Sequence, residues 1–101
     1  MSAPQRFMVD FTLPTELTEE FFDLVPYQRV VVNRYFGEGK LLNYALSIEN
    51  AKLWAIFSAE SEMEVMEMII DFPLTKFMEV QISMLALCEL PTGATPEFSL
   101  N

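Results

Sequence analysis

The chain has 101 residues, 51% of them hydrophobic, and its 15 acidic against 6 basic side chains give a formal charge of −9. That length supports one domain with one core, and the charge repels a phosphate backbone, so nucleic acid is not an expected partner. Histidine is absent, which excludes Ser-His-Asp and Cys-His triads, histidine-ligated zinc or haem, and the commonest general base near neutral pH.

The N-terminal MSAPQRF lacks a basic region followed by an apolar core, and no apolar run approaches the roughly 20 residues that span a bilayer. A cytoplasmic protein with no membrane partner is expected. The single Cys88 lies in an apolar run and cannot form an internal disulfide, which fits a reducing compartment.

From Arg6 to Leu13 the residues alternate, with Phe7, Val9, Phe11 and Leu13 on one face and Arg6, Met8, Asp10 and Thr12 on the other, as in a half-buried strand. Pro14 ends it. Thr15 or Thr18 can cap a helix with Glu16, Glu19 and Glu20 in its first turn, running to about Phe36 and ending at Gly37 or Gly39. The spacing predicts an apolar stripe of Phe21, Leu24, Val25, Val31, Val32 and Tyr35, with Asp23, Gln28, Asn33 and Arg34 turned away, and Pro26 predicts a kink or a break.

Lys40–Ile48 and Lys52–Ala59 read as two strands of a hairpin around Glu49, Asn50 and Ala51, the second apolar on both faces. Ser61 and Glu64 form a capping box for a second helix through Ile70, which Pro73 stops. Met78 to Leu90 alternates as a long fourth strand. Residues 1–90 form the expected domain, and 91–101 read as a C-terminal tail in which Phe98 and Leu100 could anchor.

The order βαββαβ predicts a ferredoxin-like α+β fold with a four-stranded antiparallel sheet. Right-handed crossovers put both helices on one face and leave the other bare. That bare face is apolar in either parity, carrying Trp54 and Ile56 or Leu53, Ala55 and Phe57, with Leu85 and Leu87 or Met84 and Ala86 from the last strand. A second copy's sheet is the simplest cover, so a homo-oligomer built on a dimeric α/β barrel is expected.

No P-loop or dinucleotide glycine fingerprint appears, because Gly37 and Gly39 sit at a helix end, and no cofactor is expected. Glu60, Glu62, Glu64 and Glu67 read as a solvated face matched to a helix N-terminus rather than as metal ligands. Asp10, on the second face of its strand, would serve as a proton carrier if buried at an interface, or simply pair with Arg6. Tyr44 and Trp54 read as pocket walls or plain core, and Asn43, Gln81 and Ser83 as polar groups that alternate strands could aim inward.

The segment EGKLLNYALSIENAKLWAIFSAESEMEVMEMIIDFPLTKFMEVQISML resembles the C-terminal half of the muconolactone delta-isomerases. The resemblance rests on Gly39-Lys40, on IFSAES before the second helix, and on Phe72-Pro73-Leu74 with Phe77-Met78, where the family writes a similar L-P-L-x-x-Y-M. It extends in pattern over about residues 5–90. It implies a ferredoxin-like subunit dimerised through its sheet and assembled into a ring, with pockets near subunit interfaces, that moves a lactone's C=C bond by cofactor-free proton transfer. The family's Trp-Arg pair falls on Ala45-Leu46, and its proton-transfer glutamate falls on Asn50 with Glu49 adjacent. Of two similar folds, YCII-like proteins rely on a His-Asp pair that is missing here, whereas cofactorless quinone-forming monooxygenases use Asn and Trp, which Asn43 and Trp54 supply.

The expectation is a muconolactone isomerase-like protein that binds a small, mostly apolar ligand at a subunit interface. Asp10 and Glu49 are its candidate catalytic carboxylates, and Asn43, Tyr44, Trp54 and Gln81 its candidate substrate-binding residues. The alternatives are a non-catalytic oligomeric binding or scaffold protein and a cofactorless monooxygenase-like enzyme.

Overall fold

Alternating apolar residues put one face of strand β1 (Gln5–Thr12) into the core, where Phe7, Val9 and Phe11 are buried. The computed structural model describes residues 3–89. Helix α1 (Glu19–Gly37) starts at Thr18, whose Oγ1 accepts a hydrogen bond from the Phe21 N–H at 3.2 Å. Thr18 rather than Thr15 is therefore the cap, and Glu19 and Glu20 fill the first turn at the positive end of the helix.

The helix is continuous through Pro26 instead of breaking there, although proline has no N–H to offer the Phe22 carbonyl. The stripe also differs from its sequence pattern. Gln28 is 4% exposed while Val25 is 41% exposed. Gln28 is tolerated inside because both ends of its amide are hydrogen-bonded, which removes most of the cost of burying it.

Strands β2 (Leu41–Ser47) and β3 (Lys52–Ala59) form the expected hairpin. Its turn closes with the Ala51 N–H donating to the Ile48 carbonyl at 3.1 Å and with Ala51 at φ +54°. Helix α2 (Glu62–Ile70) is capped by Ser61 Oγ, which accepts from the Glu64 N–H at 3.2 Å. Glu64 reaches back to the Glu60 N–H at 2.8 Å, one residue beyond the partner a capping box predicts.

After a single 3-10 turn (Thr75–Phe77) comes β4 (Glu79–Met84). It is much shorter than the alternating run predicts, because its partner β1 begins at Gln5. With Phe7 opposite Met84, pairing ends where the Leu85 N–H donates to the Arg6 carbonyl at 2.9 Å. Leu90 and the expected tail, 91–101, lie outside the described residues.

The sheet is antiparallel throughout in the order β2-β3-β1-β4, the ferredoxin-like α+β arrangement. Val32 and Tyr35 of α1 and Val65, Met68 and Ile69 of α2 join Phe7, Val9, Phe11, Leu53, Ala55 and Phe57 in one core, so both helices cover the same face. The Phe72 ring ties these layers, stacked on Tyr35 at 5.8 Å and tilted against Phe57 at 6.0 Å. The register pairs Met8 with Ile56, and Asp10 with both Trp54 and Gln81, on the uncovered face.

One irregularity positions the site. A register shift between Leu41 and Asn43 changes the parity of β2. Asn43 and Ala45 thereby share the open face with Ile56 and Trp54, while Tyr44 and Leu46 sit opposite Ala55 and Leu53 on the helix side.

Candidate functional site

Between the first turns of α1 and the helix side of β2 lies a cleft of about 610 Å³. Leu17, Phe21 and Val25 line it from the α1 side and Tyr44, Leu46 and Leu53 from the sheet, together with Leu74 and Met78. The β2 bulge creates it by turning Tyr44 and Leu46 toward the helix.

Gln28, Arg29 and Tyr44 supply its polar side-chain groups. The Gln28 Nε2 donates to Tyr44 Oη at 3.0 Å, and the Leu74 N–H donates to Gln28 Oε1 at 3.1 Å. The Arg29 guanidinium stands 5.8 Å from the centre of the Tyr44 ring. Burial pushes the Tyr44 phenol above its ordinary value, against smaller opposing effects of the Gln28 hydrogen bond and the Arg29 charge. At neutral pH the phenol is therefore un-ionised. The arrangement can enclose an apolar body and meet one polar group at the Tyr44–Arg29 end.

On the open face a smaller polar hollow of about 230 Å³ is lined by Asp10, Thr12, Lys52, Glu79, Val80 and Gln81. Lys52 Nζ donates to Asp10 Oδ1 at 3.1 Å and to Thr12 Oγ1 at 2.9 Å. Asp10 thus pairs with Lys52 rather than with Arg6, since Lys52 stands opposite Thr12 on β3 and crosses diagonally to the carboxylate.

The six residues singled out from sequence do not form one site. Asp10 and Gln81 share the hollow, and Trp54 and Asn43 lie on the same open face. Tyr44 alone lines the cleft, and Glu49 sits exposed in the hairpin turn. Sequence reasoning misses both Gln28 and Arg29, because the simple helical stripe turns Gln28 away from the core and gives Arg29 no role. Their one sequence signal was a glutamine and an arginine just after the Pro26 interruption. Among the described residues no group of three or more His, Cys, Asp or Glu side chains is placed to hold a metal ion.

A family model described as muconolactone delta-isomerase matches residues 6–91. The chain belongs to the muconolactone delta-isomerase family. Its fold is similar to that of a crystal structure of muconolactone isomerase, with a TM-score of 0.66 and 18% sequence identity over 89% of this chain and 95% of that one. No curated protein matches it by sequence. In this member of the muconolactone delta-isomerase family, the cleft and the polar hollow lie on opposite faces of the sheet, so Tyr44 is separated from Asp10, Gln81, Trp54 and Asn43.

Proposed function

We propose that this chain is a homo-oligomeric, small-molecule-binding member of its family that takes a small, mostly apolar ligand into the cleft between α1 and β2. The cleft carries the reading, since about 610 Å³ lies within the range of roughly 300–1,000 Å³ typical of small-molecule sites and its walls are mainly aliphatic and aromatic. A subunit boundary at its mouth is supported by Phe22, Leu46 and Ile48, which leave more than half of their surface in solvent around the opening.

Binding is tested by the fluorescence of anilinonaphthalene sulfonate on titration with the protein. Val25→Trp, at the exposed lip, should fill the cleft and weaken the dye at least about tenfold, about 1.4 kcal/mol. Unchanged affinity would put the dye, and the proposed site, elsewhere.

Self-association is supported by the open face, where Met8, Trp54 and Ile56 make an apolar band beside the Asp10–Lys52 pair. Two such faces packed together give the dimeric barrel. Light scattering should return at least a dimer, and a monomer at micromolar concentration would end this part of the proposal.

Family membership favours a second reading, cofactor-free isomerisation. A carboxylate removes a proton next to a carbonyl and a proton is returned elsewhere on the same molecule, so the C=C bond moves with no change of formula. Asp10 and Glu49 are the carboxylates to test. Ultraviolet absorbance of muconolactone with wild type, Asp10→Asn and Glu49→Gln decides it, and no turnover by wild type retires the reading.

A further inference from the structure

We propose that Tyr44 is the ligand-orienting hydrogen-bond donor of the cleft, selecting apolar molecules that present a carbonyl or carboxylate oxygen, and that Gln28 is the positioning residue that frees its proton for them. This rests on the cleft-binding reading above.

The direction of the chain of hydrogen bonds follows from chemistry. A backbone N–H can only donate, so the Gln28 atom facing Leu74 N at 3.1 Å must be the amide oxygen. The amide nitrogen then faces Tyr44 at 3.0 Å, and the phenol oxygen is the acceptor. The phenol's own proton has no acceptor among the described residues and belongs to a ring that walls the cleft. Gln28 cannot rotate to take that proton without breaking its bond to Leu74.

Charge agrees with this polarity. No Asp or Glu lines the cleft, although the chain carries 15 of them, and the one ionic group there is the Arg29 guanidinium beside the Tyr44 ring. The cleft thus offers a donor and a cation and no strong acceptor. A ligand whose polar group is an oxygen acceptor completes the set, whereas a pure hydrocarbon leaves the donor unmet.

Three probes of similar shape test this by calorimetric titration: isopropylnaphthalene, its ketone counterpart acetylnaphthalene, and naphthoate. Tyr44→Phe should weaken the ketone and naphthoate by about tenfold and leave isopropylnaphthalene within about twofold, the hydrocarbon serving as the control for folding. Arg29→Gln should weaken naphthoate alone. Gln28→Glu, assayed at about pH 9 to ionise the new carboxylate, keeps an acceptor for Leu74 but draws the Tyr44 proton to itself, so ketone affinity should fall as in Tyr44→Phe. If all three probes bind and Tyr44→Phe treats them alike, the proposal is overturned and the cleft reading stands. If none binds wild type, the cleft reading fails and takes the proposal with it.

Discussion

Ala51 carries a β-carbon where the backbone turns left-handed, at φ +54°, a region that glycine enters without steric cost. Ala51→Gly should raise stability by about 0.5–1 kcal/mol after the extra freedom glycine gains in the unfolded chain is subtracted, read as a higher urea midpoint. A lower midpoint would show that the turn carries no such strain. Two tyrosines make a second prediction. Burial, and for Tyr35 also its hydrogen bond to Asp71, pushes the phenols of Tyr35 and Tyr44 above the ordinary 10.0. In that window the unfolded chain releases the protons and the folded one keeps them. The stabilisation is complete below pH 10 and is lost as pH rises through the folded values. Urea unfolding from neutral pH to about pH 11 should show this decline, and Tyr44→Phe should make it shallower.

The first helix was legible from its acids, its period and its glycine end, but two candidate caps were open until Thr18 was seen to accept from the Phe21 N–H. Thr18→Ala should cost about 1 kcal/mol and Thr15→Ala close to nothing, measured by thermal or urea unfolding. Equal losses would mean that the cap contributes less than the loop around it. The same helix hid Gln28, because its burial depends on two partners, Tyr44 and Leu74, that are 16 and 46 residues away in sequence. The last strand was overestimated for a related reason. Alternation reports what a segment could pair with, whereas β4 ends at Met84, opposite Phe7, and β1 has only Arg6 and Gln5 beyond that register, too few to pair a run that reaches Leu90.

Over the whole molecule, the bare face is less uniformly apolar than either parity of β3 suggested. Trp54 and Ile56 face outward beside the Asp10–Lys52 pair, while Leu53, Ala55 and Phe57 go to the core. Ile56→Lys is directed at this face and leaves the helix-side core untouched. It should reduce the mass seen by light scattering while the circular dichroism spectrum stays native. An unchanged mass would move the self-association surface off the sheet, for example to the apolar lip around Phe22 and Ile48.

The sequence by itself determined the order of elements, the hairpin, the second helix's Ser61 cap and the family, because each rests on periodicity, local capping or a contiguous pattern. Only the tertiary structure decided where the cleft lies. One extra residue in β2 reverses the parity of everything after it, sends Asn43 to the open face and Tyr44 to the helix side, and opens the cleft that Gln28 and Arg29 complete. A bulge costs little locally and leaves no mark in residue spacing, so its consequence appears only when the strand is laid against its neighbour.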